Sequence, residues 1–195
     1  MVRLELDAAF GRNEPDPEIR DLLRASAGAN LGLAFVPAAI GYDPAAPPDV
    51  DADTASGITW FDALTLNVDR TARNPNLLLA GGRLWLIDHG AALYFHHQWA
   101  GAGASAASPF AAVRDHVLLP RASALPTAAA RVAAKVAAAP LADILAALPD
   151  EWLDAPDAPG DPAATRAAYS AWFAARLAAA PTFTAEAERA RAAIV

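Results

Sequence analysis

The sequence predicts an α+β fold in which a few strands precede a mainly helical second half. Strand-like patterns occur before residue 90, including an alternating N-terminal segment and two short apolar runs around a Gly-Gly pair. Beyond residue 109, alanine-rich segments with helical spacing are separated by prolines. The length of 195 residues suits one domain or one large lobe.

The first part of the chain predicts two strands and one helix. Residues 2–6 alternate between apolar and polar side chains, which indicates a strand. Prolines and acidic residues at 13–18 indicate the start of a helix that runs to about Ala25. The apolar run 31–36 predicts a buried strand, and residues 37–56, rich in proline and aspartate, predict an exposed loop.

The middle of the chain predicts a helix, a loop and a hairpin in that order. Apolar side chains at 57–66 indicate a buried helix, and the aperiodic segment 67–76 indicates a loop. The apolar runs 77–79 and 84–87 flank Gly81-Gly82, a pair typical of a tight hairpin turn.

The second half is predicted to be helical after an aromatic segment at 94–99 and a linker of small residues at 101–108. Prolines divide this half into separate helices. The predicted helices span residues 109–117, 126–138, 141–148, 161–180 and 184–194.

Charge and composition argue against several classes of partner. The net charge is −7 and the isoelectric point is near 4.9, which disfavours binding to nucleic acid or to an anionic membrane surface. No apolar stretch approaches the roughly 20 residues of a membrane span. The chain has no cysteine, and its N-terminus lacks the apolar core of a signal peptide. We therefore expect a cytoplasmic protein.

Three polar side chains stand where a magnesium-dependent reaction would need them. Asp69 lies on the loop after the predicted helix, where a carboxylate can accept a hydrogen bond from a substrate hydroxyl. Asn74 on the same loop and Asp88 at the end of the hairpin offer the oxygen ligands that Mg²⁺ prefers. A zinc site built from Asp88, His89 and the later histidines fits less well, because the usual ligand spacing is absent.

The order Asp-x4-Asn, hairpin, Asp-x-Gly is similar to the catalytic and metal loops of protein-kinase-like folds. In finer detail the chain resembles the HipA-like kinase domain of a bacterial family with no well-defined substrate. The likeness covers most of the 195 residues. It is carried mainly by Trp60-Phe61-Asp62-Ala63-Leu64, Asn67-Val68-Asp69-Arg70-Thr71, Asn74-Pro75-Asn76-Leu77-Leu78 and Leu86-Ile87-Asp88-His89-Gly90-Ala91-Ala92-Leu93, and also by residues 22–33 and 114–119.

This resemblance implies a phosphotransferase that uses ATP and Mg²⁺ and acts on a protein Ser/Thr or on a small-molecule hydroxyl. Asp69 would be the catalytic aspartate, and Asn74 and Asp88 would bind magnesium. Residues 1–36 would be a partial N-lobe with the hinge. Residues 37–195 would be the C-lobe, with the catalytic and metal loops at 57–95 and a helical bundle at 109–195.

The resemblance also suggests where the nucleotide would lie. The predicted strand 31–36, with Leu33 and Phe35, would lie near the adenine pocket. Arg70 and Arg73 are the cations nearest to the catalytic aspartate and could contact phosphate.

Two parts of a complete kinase are missing from the sequence. No glycine-rich phosphate loop precedes Asp69, and the only lysine, Lys135, falls in an alanine-rich helix far beyond it. The chain is therefore expected to start partway through the N-lobe, through a misassigned start or a truncation, unless Arg3 replaces the lysine or the protein is a pseudokinase. The alternatives to a kinase are a non-catalytic binding module of pseudokinase type and a metal-dependent phosphohydrolase.

Overall fold

The computed structural model describes residues 2–7, 9–154 and 157–195 and has an α+β fold in which about half of the chain is helical. Contacts divide the chain into two compact units, residues 1–38 and residues 39–195. We call these the first and the second unit. The boundary expected from the sequence lay after residue 36.

The first unit consists of two strands with a helix between them in sequence. Strand β1 (Val2–Leu6) pairs antiparallel with β2 (Gly28–Gly32), so that Val2 faces Gly32 and Leu6 faces Gly28. Helix α1 (Pro17–Ala25) begins after Asp16, whose carboxylate accepts hydrogen bonds from the backbone N–H groups of the first turn. The strand predicted at 2–6 and the helix predicted from 13–18 are both present.

The buried strand predicted at 31–36 is wrong. Strand β2 ends at Gly32, where its pairing with the first residue of β1 also ends, so residues 33–36 have no partner strand among the residues that the structure describes. Leu33 and Phe35 are 71% and 88% exposed. An apolar run predicts burial only where another surface covers it, and the described residues of the first unit leave these two side chains uncovered.

The second unit contains a three-stranded antiparallel sheet in the order β3-β4-β5. The strands are β3 (Ile40–Gly41), β4 (Leu77–Ala80) and β5 (Arg83–Leu86). Gly81 and Gly82 join β4 to β5 with φ angles of 56° and 72°, a left-handed turn that glycine adopts at low cost. The hairpin predicted around these two glycines is confirmed.

Helix α2 (Ala52–Thr65) runs through the core of the second unit. Asp51 caps it by accepting a 2.8 Å hydrogen bond from the backbone N–H of Thr54. The buried helix predicted at 57–66 is confirmed, but it begins inside the segment predicted as a loop, because Asp51 supplies a cap earlier in the chain. Leu66, with φ of 57°, ends the helix in a left-handed conformation.

From residue 102 onward the second unit is mainly helical, with two departures from the prediction. Residues 101–108 are not a linker, because alanine is the strongest helix former and a short helix forms there. The predicted helix 109–117 is only a 3₁₀ helix, Ala111–Asp115, entered from Phe110 in a left-handed conformation. The helices are α3 (Ala102–Ala107), α4 (Leu125–Ala137), α5 (Leu141–Ala146), α6 (Pro162–Ala178) and α7 (Ala180–Ala192).

The main core forms where α2 contacts α4 and α7. The rings of Trp60 and Phe183 lie 5.1 Å apart, and the Trp60 indole N–H donates a 2.8 Å hydrogen bond to Thr184. Arg176 of α6 is fully buried and donates to the last carbonyls of α2, including that of Ala63 at 2.7 Å. Burial lowers the pKa of Arg176 to about 10. This guanidinium fixes the end of α2 from which the candidate loop starts.

In the described part of the chain, no helix combines the length and the apolar character that crossing a membrane requires.

Candidate functional site

The loop between α2 and β4 is anchored at its start by a buried asparagine. Asn67 donates a 3.0 Å hydrogen bond to the carboxylate of Asp62 on α2. Its side-chain oxygen accepts from the backbone N–H of Asp69 at 3.2 Å. The position of Asp69 is therefore set by a side chain that is itself fixed to the helix.

Asp69 is held by two neighbouring amides. Asn74 Nδ2 and Asn76 Nδ2 donate to Asp69 Oδ2 at 2.8 Å and 3.2 Å. Within the described residues, Asp69 Oδ1 and Asn74 Oδ1 accept no hydrogen bond. One carboxylate oxygen and one amide oxygen of the loop are thus available to a ligand, while the opposite atoms of the same groups hold the loop together.

The hairpin brings Asp88 to the same end of the sheet as this loop. The backbone N–H of Ile87 donates to the carbonyl of Asn76 at 3.0 Å, which continues the β4–β5 pairing beyond Leu77 and Leu86. Asp88 follows at once and is exposed, with φ of 48° and its Oδ1 accepting from the backbone N–H of Gly90.

Arg70 joins the loop to the hairpin through hydrogen bonds from its side chain. Its Nη1 donates to the carbonyl of Asn76 and, at 3.5 Å, to the carbonyl of Ile87. Its Nε donates to Asp62 at 2.5 Å, and both side chains of this ion pair are fully buried. Arg70 was predicted as a phosphate contact, but its side chain is buried and its Nε and Nη1 are committed to these groups, so we assign it to positioning. Arg73 is exposed on the loop, and its contact with phosphate stays a prediction.

A buried histidine completes the cluster around Asp62. The Leu118 backbone N–H donates to His116 Nδ1 at 3.1 Å, so this nitrogen carries no proton. His116 Nε2 therefore carries the proton and donates to Asp62 Oδ2 at 3.0 Å. Thr59 donates its hydroxyl to Nδ1, also at 3.1 Å. We call Asp62, Asn67, Arg70 and His116 the anchor cluster.

The charge of Asp62 is stabilised by this cluster. Burial alone would raise the pKa of this carboxyl, but hydrogen bonds from His116 and Arg70, together with the positive charge of Arg70, bring the pKa below its usual value. The pKa of His89, beside Asp88, is lowered first by partial burial and then by the charge of Arg70. The anchor cluster therefore contains a carboxylate that stays ionised and a guanidinium paired with it.

The anchor cluster was missed in the sequence, apart from Arg70, for which another role was predicted. The available signal was Asp62, a charged residue in the middle of a helix predicted to be buried. Its partners could not be read from spacing, because His116 lies 54 residues further along the chain.

The remaining predicted site residues are the nucleotide-pocket residues Leu33 and Phe35 and the predicted metal ligands. Leu33 and Phe35 belong to the first unit and are exposed there. Among the residues described, no three His, Cys, Asp or Glu side chains group closely enough to hold a metal ion. A metal at the loop would therefore rely on the mixed carboxylate and amide oxygens of Asp69, Asn74 and Asp88.

A cavity of about 730 Å³ begins directly beside the loop. Leu66 and Val68 form one wall, and the segment after Asp88 forms another through Tyr94, His97 and Gln98. Asp69, Asn74 and Asp88 do not line it.

Comparisons with protein-family models, with curated proteins and with solved structures find no match to this chain.

Proposed function

We propose that this chain is a kinase-like lobe of the HipA-like type, which binds ATP with Mg²⁺ and transfers a phosphoryl group to a hydroxyl of a protein Ser/Thr or of a small molecule. One observation carries the proposal. The loop with Asp69 and Asn74 and the hairpin with Asp88 end side by side, joined by the Ile87–Asn76 backbone bond and by Arg70. Phosphoryl transfer depends almost entirely on such positioning and on charge neutralisation.

Asp69 suits the role of the residue that orients the acceptor. Two amides hold its Oδ2, so Oδ1 stays free to accept a hydrogen bond from a hydroxyl and to receive its proton during transfer. Because the amides fix the carboxylate before substrate arrives, little reorganisation is needed at the moment of reaction.

The donor set suits magnesium. Asn74 Oδ1 and Asp88 Oδ2 are oxygen donors, one neutral and one charged, and Mg²⁺ typically takes one or two carboxylates and fills its other positions with phosphate and water. When bound, the ion would neutralise the charge of the phosphates. The two side chains would fix where the nucleotide's phosphates lie relative to Asp69.

Nucleotide binding tests the proposal directly. We expect the wild type to bind ATP more tightly in MgCl₂ than in EDTA by calorimetry, and Asp88→Ala to lose that difference, because a magnesium ligand is removed. Glu188→Ala, which removes an exposed carboxylate from α7, is the control and should behave as the wild type. If Asp88→Ala keeps the full magnesium dependence, Asp88 is structural and the proposal fails.

A second candidate is a non-catalytic nucleotide-binding module. It is favoured by the position of Lys135, the only lysine, which is exposed in the last turn of α4 rather than on a strand before Asp69. Turnover of Mg-ATP by the wild type and Asp69→Asn separates the candidates. For the kinase, we expect phosphate transfer that falls at least about 10²-fold in Asp69→Asn.

Two other outcomes of the turnover assay would contradict the kinase. ATP binding without any turnover dependent on Asp69 identifies the binding module. Release of phosphate from simple esters without an acceptor identifies a metal-dependent phosphohydrolase.

A further inference from the structure

The outer edge of β1 is open. Within the described residues, β1 pairs with β2 alone, and the sheet of the first unit has only these two strands. A two-stranded sheet is marginally stable by itself, and an open edge presents backbone N–H and C=O groups that another strand can pair with.

The side chains of β1 divide cleanly between the two faces. Val2, Leu4 and Leu6 share one face, on which Val2 and Leu4 are 56% and 49% exposed. Arg3 and Glu5 share the other face and form an ion pair of 2.8 Å. The strand therefore carries an apolar face and a face with one charge of each sign.

We propose that β1 pairs antiparallel with β1 of a second copy of this chain, about a two-fold axis that passes through Leu4. In this register Leu4 faces Leu4, Val2 faces Leu6, and Arg3 faces Glu5 of the second copy. Each contact except the central one occurs twice, and the result is a four-stranded antiparallel sheet in the order β2-β1-β1-β2.

The sequence of β1 selects this register over its neighbours. A shift by one residue places charged residues of one copy opposite apolar residues of the other, so that the apolar faces of the two strands lie on opposite sides of the sheet. A shift by two residues in one direction places Arg3 opposite Arg3, and in the other direction Glu5 opposite Glu5, which is repulsive. A parallel pairing in register also sets like charges beside each other. Only the arrangement centred on Leu4 matches both charge and polarity.

Cysteine cross-linking tests the register, since the chain has no native cysteine. Directly opposed residues of antiparallel strands have Cα atoms about 4.5–5.5 Å apart, within the range of a disulfide. We expect full-length Leu4→Cys to form a disulfide dimer under mild oxidation. Val2→Cys and Leu6→Cys should cross-link when mixed with each other, and neither should do so alone.

The control for cross-linking is Leu31→Cys, which places a thiol of similar exposure on β2, away from the open edge. Cross-linking of Leu4→Cys no faster than that of Leu31→Cys would overturn the proposal, as would cross-linking of Val2→Cys alone at the rate of Leu4→Cys.

Charge exchange tests the same contact without a covalent bond. By sedimentation velocity, Arg3→Glu and Glu5→Arg should each raise the dimer dissociation constant about tenfold, because each places like charges opposite one another at two symmetric positions. The double variant R3E/E5R restores opposite charges and should recover wild-type association. Arg114→Glu, an exposed change of equal charge elsewhere, is the control.

A wild type that remains monomeric at all concentrations, or a double variant as weak as the single ones, would show that the open edge of β1 does not bind a second copy.

Discussion

At the scale of single residues, Asp62 determines where the candidate site lies. Its two oxygens accept from Asn67, Arg70 and His116, which belong to α2's exit, the loop and the segment after α3. Each of these partners also makes a hydrogen bond to the backbone of the loop or of its own segment. A single buried carboxylate thus sets the path of the loop that carries Asp69.

Removal of this carboxylate should be costly. Asp62→Ala leaves the Arg70 guanidinium buried without its partner, and we expect a loss of about 3–5 kcal/mol in the free energy of unfolding by urea. Asp53→Ala, on the same helix, breaks an exposed pair with Arg131 and should cost about 0–1 kcal/mol. Equal costs for the two variants would contradict the importance of the anchor cluster.

At the scale of elements, the tight turn of the hairpin places Asp88 beside the loop that carries Asp69. Gly81 and Gly82 both have positive φ, and no other atoms crowd the space where their side chains would be. Backbone conformation, rather than packing, therefore requires glycine at these two positions.

Replacement of a turn glycine should make the position of Asp88 less well defined. Gly82→Val forces a β-branched residue into a left-handed conformation, and we expect about 1–2 kcal/mol of lost stability, together with weaker magnesium-dependent ATP binding. Gly41→Val is matched, since Gly41 also lies in open space in the same sheet but lacks a positive φ. Similar effects of both substitutions on stability would count against the turn argument.

The elements that could be predicted are those whose signal is local. The buried helix 57–66 follows from its apolar residues, and the hairpin follows from Gly81-Gly82 between apolar runs. The segments 31–36 and 101–108 were misassigned. Whether the first forms a strand depends on the length of its partner strand. Whether the second forms a helix or a linker depends on whether the helix propensity of alanine outweighs the small size of its residues.

The candidate site divides in the same way. The placement of Asp69 on a loop and of Asp88 after a strand could be predicted, since both follow from the order of adjacent elements. The bonds from Asn67 and His116 to Asp62 could not, because they depend on tertiary contacts that join distant parts of the chain. The chemistry assigned to Asp69, Asn74 and Asp88 stays a prediction.

At the scale of the whole molecule, the anchor cluster links stability to pH. The pKa of Asp62 is lower in the folded chain than the usual value of 3.8, so its ionised form stabilises the fold at neutral pH. This contribution is fully present above that value and is lost as the pH falls through the lower pKa of the folded state.

We therefore expect the stability difference between wild type and Asp62→Asn to shrink as the pH is lowered from 7 to about 2.5. Urea unfolding of both proteins across this range measures it. Exposed acids contribute equally to both curves and cancel in the difference. A difference that stays constant down to the lowest pH would show that the charge of Asp62 does not stabilise the fold.

Because the guanidinium of Arg70 bonds a carbonyl on the loop and another on the hairpin, the two segments cannot drift apart independently. The conformational entropy lost in aligning them is spent when the chain folds, before any ion arrives. A cation bound at Asp88 would therefore find Asn74 already in position. Loop motion at higher temperature should weaken the binding of that cation only slightly, until the second unit as a whole unfolds.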